Sequence, residues 1–243
     1  MRELRYRTIA EQLRRRMEAG EFPAGRLLPS EAELGAAYDA SRITVRKALD
    51  VLRDEGLVDS RQGFGWFAAG DPVRQALGRL GTIEEQLEAS GATAERRILD
   101  FGFIKASRRA REVLGGDTVL RVRRVNLADG EPFARVTVWA PERFGHGLSR
   151  ADVEARSFYE LLPVEVGGAT QTIGATGASA ADAALLDIPP GSPVLRCERV
   201  TTDRAGRPVL LSEFVFPGHR TEFVVDLPSV DASIAPSGLR LVE

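Results

Sequence analysis

The chain has 243 residues, 43% of them hydrophobic and 28% charged, with a formal net charge of −2, which suits two compact domains of ordinary globular composition. No apolar run approaches the ~20 residues that span a bilayer, and the charged start Met1-Arg2-Glu3-Leu4-Arg5-Tyr6-Arg7 leads into no apolar stretch, so neither a membrane span nor a secretory signal is expected and the cytoplasm is the expected location. One cysteine, Cys197, and two separated histidines, His146 and His219, exclude a disulfide framework and a metal cluster of usual spacing, and no cofactor is implied.

Tyr6, Ile9, Ala10, Leu13 and Met17 recur at helical spacing and predict a first helix over about 6–19, closed by Gly20. After the turn Phe22-Pro23-Ala24-Gly25, Ser30 and Glu33 form an S-x-x-E capping box that opens a short second helix ending near Tyr38. Ser41 caps a third helix whose apolar face is Val45, Ala48, Leu49 and Leu52, and Gly56 terminates it. Leu57-Val58 and Arg61-Gln62-Gly63-Phe64-Gly65-Trp66-Phe67 read as a hairpin with a glycine-bearing tip. Three helices and a hairpin in this span is the layout of a winged helix-turn-helix, expected over residues 1–70, with a linker at 71–78 and a second domain over 79–243.

Charge alone does not point to nucleic acid, because residues 1–70 hold 12 Lys and Arg against 11 Asp and Glu. Placement does. At the start of the third helix the apolar positions turn inward and leave Arg42, Thr44, Arg46 and Lys47 outside, with no acid in the heptapeptide Ser41–Lys47. Arginine at such a helix start can reach guanine O6 and N7, threonine a phosphate or a thymine methyl, and the helix amides a phosphate. In the hairpin, Arg61 and Gln62 flank Gly63, whose missing side chain permits close backbone approach to a groove. The competing reading of these charges is a solvated helix face; it leaves the capping box, short second helix and wing as coincidences.

Farther on, helices are expected near 75–89, 107–114, 157–162 and 178–186. The hairpin Val119–Leu127, Ala128-Asp129-Gly130, Glu131–Ala140 is marked by its Asp-Gly turn. Val119-Leu120-Arg121-Val122-Arg123-Arg124-Val125 is repeated as Val194-Leu195-Arg196-Cys197-Glu198-Arg199-Val200, each copy running on to a Gly-x-Pro. Two related halves of one antiparallel sheet with packed helices follow, an α+β fold overall. Alternation sets Leu120, Val122 and Arg124 on one face, and Leu195, Cys197 and Arg199 on the equivalent face. A guanidinium on an apolar face needs a partner, either a carboxylate such as Glu213 or an anionic ligand.

The strings Leu28-Pro29-Ser30-Glu31-x-Glu33-Leu34, Ser41-Arg42-x-Thr44-Val45-Arg46-x-Ala48-Leu49, Leu52-x-x-Glu55-Gly56-Leu57-Val58 and Gln62-Gly63-x-Gly65 resemble the GntR-type regulator signature. The resemblance spans nearly all of 6–67 and implies operator contacts by Arg42, Thr44 and Arg46, with Gln62 and Gly63 in the wing. Asp39-Ala40 stands where such sequences often have Gly-Val. The remainder resembles the UTRA effector domain of the HutC-type branch, through Arg124-Val125-x-x-Ala128-Asp129-Gly130-Glu131-Pro132, Ser157-Phe158-Tyr159-Glu160-Leu161-Leu162 and Gly191-x-Pro193-Val194-Leu195-x-x-x-Arg199. That implies a chorismate-lyase-like α/β fold with an antiparallel sheet, a homodimer, and a small-molecule pocket with Arg124, Asn126, Ser157, Tyr159, Glu213 and Arg220 as candidate contacts.

For Arg124 the family pattern favours a ligand; for Arg199 a structural ion pair is the readier reading. Ser157 with Glu160 is a structural cap or part of an anion site. Sugar-phosphate-sensing relatives tend to have an Arg where Asn126 stands and a Glu where Val136 stands, so an amino-sugar phosphate is not carried over. His219 reads as a surface residue. The resulting expectation is a DNA-binding repressor, not an enzyme, released from a palindromic operator by a small anionic metabolite. A ligand-dependent activator, or an enzyme on the same fold, are the alternatives.

Overall fold

The computed structural model describes residues 2–23, 25–61, 65–70, 73–77 and 80–226. The first unit contains α1 (Arg2–Glu18), α2 (Glu31–Ala37), α3 (Arg42–Asp54) and the antiparallel hairpin β1 (Val58–Arg61) and β2 (Gly65–Ala68). Local chemistry sets each boundary. The Glu33 carboxylate accepts from the Ser30 amide at 2.8 Å while the Ser30 hydroxyl accepts from the Glu33 amide, a reciprocal cap that starts α2. Asp39 follows in the left-handed region (φ 47°), a conformation that explains why glycine suits the position. Ser41 then caps α3 through the Thr44 amide. Ile9, Ala10 and Leu13 of α1 close over Val45, Ala48, Leu49 and Leu52 of α3, and Leu34, Val58 and Trp66 complete this core.

The second unit runs through β3 (Val73–Ala76), α4 (Ile83–Ala89), β4 (Ala94–Lys105), α5 (Arg108–Leu114), β5 (Thr118–Ala128) and β6 (Glu131–Pro141). It continues with α6 (Glu142–Gly145), α7 (Arg150–Ala155), α8 (Phe158–Leu161), β7 (Val166–Gly177), α9 (Ala180–Leu186), β8 (Pro193–Asp203), β9 (Pro208–Pro217) and β10 (Thr221–Val224). Six strands form one antiparallel sheet in the order β4-β5-β6-β9-β8-β7. Each half reads strand, helix, hairpin, and the halves meet at β6 and β9, where Thr137 stands opposite Glu213. The internal repeat of the sequence is thus a repeat of structure. Asp129 (φ 51°) and Gly130 (φ 81°) make the tight turn of the first hairpin.

Helices cover both faces. Leu120, Val122, Cys197, Leu210, Phe214 and Phe216 share one face with Ile83 and Leu87 of α4, Val153 of α7 and Phe158 of α8. On the other, Val119 and Leu211 pack on Ala110 and Leu114 of α5, and Val194 and Val215 on Ala183 and Leu186 of α9. The helix expected over 75–89 is shorter than that range: α4 begins at Ile83 behind a Thr82–Glu85 capping box. Residues 73–76, expected as part of the 71–78 linker and the start of that helix, are a strand paired in parallel with β10, a partnership with a distant segment that local periodicity cannot reveal.

The two units touch. Arg26 makes ion pairs at 2.6 Å with both Glu131 and Asp187, and Leu27 packs on the α9 cluster. His219, expected at the surface, is 3% exposed. Its Nε2 lies 3.0 Å from the Gly25 carbonyl oxygen and its ring packs on Phe67, so docking of the first unit is what covers it.

Candidate DNA-contact face and effector cavity

Along α3, Arg42, Arg46 and Lys47 are exposed, while Val45, Ala48 and Leu49 are buried. Arg42 and Lys47 have no ion-pair partner among the described residues. Arg46 does: its Nε and Nη2 donate to the two oxygens of Glu31 at 2.8 Å each, and Trp66 Nε1 donates to the same carboxylate at 3.2 Å. An acid therefore does stand beside this face, contributed by α2 and not by the heptapeptide. The Arg46 hydrogen bond holds the Glu31 carboxyl below the usual carboxylate range, against the effect of burial. Thr44 is half-buried, its hydroxyl 2.9 Å from that of Ser41. Ile43, between the two named contacts, is 72% exposed. Its isolation among polar neighbours was the available sequence signal. Arg61 closes β1 opposite Gly65; Gln62 and Gly63 lie outside the described residues.

The second site is a cavity between the sheet and α4, lined by Gln75, Gln86, Arg124, Tyr159, Arg199 and Ser212 among others. Ser157 is also on its wall, with its hydroxyl donating to Glu160 at 2.6 Å in the cap of α8. Arg124 is 7% exposed, and its Nη2 is 3.6 Å from Glu84 Oε1. The same oxygen accepts from Arg96 Nε at 2.8 Å and from Asn126 Nδ2 at 2.6 Å. Burial pushes the Arg124 guanidinium down to about 10, opposed by the charge of Glu84. Burial alone would push Glu84 up, but Arg124 and Arg96 outweigh it and hold the carboxyl below its ordinary value. Asn126 is fully buried against Glu84 and is not among the cavity-lining residues.

Arg199 donates from Nε to Gln171 Oε1 at 2.7 Å and from Nη1 to the Tyr159 hydroxyl at 2.9 Å and the Gly81 carbonyl at 3.2 Å. Its guanidinium lies over the Phe214 ring, 5.0 Å from the centroid. It is not paired with Glu213. Strand alternation sends Ser212 and Phe214 of β9 into the cavity and Glu213 through to the other face, where Arg135 Nη1 at 2.5 Å and Arg196 hold it. Arg220 is also elsewhere. It donates to the Pro132 carbonyl at 2.9 Å and packs against Gly25 where the two units meet. Of the six expected contacts the structure brings Arg124, Ser157 and Tyr159 to one cavity and leaves Asn126, Glu213 and Arg220 off its wall. Cys197 lines the cavity too, but burial pushes its thiol up to about 12, away from any nucleophilic role.

Comparison with known proteins decides the family. Residues 5–68 match the model for bacterial regulatory proteins of the gntR family, and residues 89–222 match the UTRA domain. The HTH-type transcriptional regulator Rv0792c of Mycobacterium tuberculosis is 34% identical, over 97% of this chain and 89% of its own. The chain belongs to the GntR family. This GntR-family regulator is also 29% identical to the HTH-type transcriptional repressor NagR of Bacillus subtilis, over 90% of this chain and 93% of NagR. The crystal structure of PhnF from Mycobacterium smegmatis superposes with a TM-score of 0.62 at 26% identity, covering 91% of this chain and 99% of PhnF. The family is one of transcriptional regulators, not of enzymes. No helix among the described residues of the regulator is long and apolar enough to cross a membrane.

The sequence reading of the GntR-family regulator passed over Gln75, Gln86, Gln171 and Ser212. Alternation from Arg199 and Phe214 points to Ser212. Nothing local points to the three glutamines, which reach the cavity from β3, α4 and an edge strand.

Proposed function

We propose that this regulator is a homodimeric repressor: it lays two α3 helices into successive major grooves of a palindromic operator and lets go when a small anionic metabolite fills the UTRA cavity. The observation that supports it most is α3 itself, N-capped by Ser41, its apolar side buried, Ile43 exposed, and Arg42 and Lys47 exposed with no ion-pair partner among the described residues. Arg42 reads a guanine, Ile43 meets a thymine methyl, and Lys47 contacts a phosphate. Arg46 is pre-set in one rotamer by the Glu31 fork, which reduces the entropy lost on docking. The family resemblance implies half-sites of the GT…AC kind, one helical turn apart. The effector acts only through a difference in affinity between the DNA-competent and incompetent arrangements.

The test is a gel shift on such a palindrome. Arg42→Ala is expected to weaken specific binding by about tenfold or more, from ~1–3 kcal/mol per base contact in each half-site, with the thermal melt unchanged. Undiminished operator affinity would overturn the reading.

A further inference from the structure

The cavity has an electrostatic imbalance. Arg124 and Arg199 line it, and Glu84, the carboxylate that compensates Arg124, is shared with Arg96. Arg199 is left with neutral acceptors, an amide oxygen, a carbonyl and a phenol. Its Nη2 donates to no group among the described residues. Hydrogen bonding on the wall is incomplete as well. Gln75 Nε2, Gln86 Oε1 and Arg124 Nε are buried with no partner among the described residues, and buried polar atoms left unmatched are costly unless something absent completes them. Charge and two orphaned donors, Gln75 Nε2 and Arg124 Nε, thus point independently to an anion, and the orphaned acceptor Gln86 Oε1 to a hydrogen-bonding substituent on it.

The kind of anion follows from which donors are still available. A phosphate ester needs several hydroxyls or amides around three oxygens. Here the Ser157 hydroxyl is committed to Glu160, and the unmatched donors, Gln75 Nε2 and Arg124 Nε, come singly from β3 and β5. A carboxylate needs one guanidinium edge. The Nε and Nη2 of Arg199 form such an edge, and only the neutral Gln171 oxygen stands on it, a weaker partner than a charged one. Phe158, Phe214, Phe216 and Phe223 give the wall an aromatic part, the rings of Phe214 and Phe216 lying parallel to within 6°. The inner chamber is narrow, about 40 Å³, and opens past Gln171 and Arg199 into an outer cleft of about 260 Å³.

We propose that this cavity takes a small monocarboxylate, with its carboxylate on the Nε–Nη2 edge of Arg199 in place of the Gln171 amide and its apolar body against the phenyl walls. The assignment rests on the effector-responsive reading above and narrows it from anions in general to one class. Arg199 is the residue that selects the class, and Gln75, Gln86 and Arg124 supply donors and acceptors to polar substituents.

Calorimetric titration of the full chain with benzoate, inorganic phosphate and glucose 6-phosphate tests it. Benzoate is expected to bind at least tenfold more tightly than either phosphate. Arg199→Gln is expected to weaken benzoate at least tenfold without lowering the melting temperature of the free protein, and Arg199→Lys, which keeps the charge, to restore part of the loss. Tighter binding of either phosphate, benzoate binding that ignores Arg199→Gln, or no binding by any probe overturns the proposal. Anisotropy of a labelled palindromic operator separates the two readings. Benzoate that binds through Arg199 but leaves operator affinity unchanged sinks the effector reading and keeps the ligand class; glucose 6-phosphate that releases the operator does the reverse.

Discussion

At the residue scale, the buried side chains that matter are those whose charge is compensated by a single neighbour. Glu84 is that neighbour for Arg96 and Arg124, both with side chains only 8% exposed. Removing one member of such a cluster leaves uncompensated buried charge, which typically costs about 3–5 kcal/mol. Glu84→Gln is therefore expected to lower the urea midpoint at neutral pH by an amount in that range, and a loss under 1 kcal/mol would show the cluster to be solvated. The pH dependence follows from the direction of the shift. The folded-state value of Glu84 lies below its ordinary 4.5, so its contribution is complete above that pH and is lost as the pH falls through the depressed value. The stability difference between wild type and Glu84→Gln should accordingly shrink in acid; a difference that held constant down to pH 3 would contradict the assignment.

At the scale of elements, the turn between α2 and α3 sets the angle at which α3, the helix proposed to meet DNA, is presented. Gly35 is buried, and a β-carbon there would stand 2.9 Å from the Ala40 carbonyl oxygen, which is backbone and cannot swing aside. Gly35→Ala is expected to destabilise the protein by about 1–3 kcal/mol, the usual range for overpacking. It should also weaken operator binding by tilting α3. If the variant melts normally and binds normally, the close approach is not a constraint. In the sheet, the same logic of neighbours explains the misassigned segment. Residues 73–76 are strand only because β10 lies alongside them, and the hydrogen bonds of that pairing outweigh a local pattern compatible with helix.

For the whole molecule, the contacts between units form a coupling that has no counterpart in either unit alone. Arg26 reaches Glu131 and Asp187 on the two halves of the sheet domain, and buried His219 meets the Gly25 carbonyl and Phe67. Each unit has its own core, so weakening the joint should uncouple their unfolding without destroying either. Arg26→Ala combined with His219→Ala is expected to split the calorimetric unfolding peak into two. A single peak at an unchanged midpoint would mean that the contacts carry no coupling.

Local sequence determined most of the DNA-facing unit. Caps at Ser30 and Ser41, apolar spacing in α3 and the Asp129-Gly130 turn act over a few residues, so they are legible without a structure. Alternation likewise determined which side of the sheet Arg124 and Arg199 share. Tertiary structure decided the partners: Glu31 for Arg46, Glu84 for Arg124, the far face for Glu213, and the joint between units for Arg220 and His219. A side chain's direction is set by its own strand or helix, whereas its partner arrives from a distant segment, and no local rule states which segment that is.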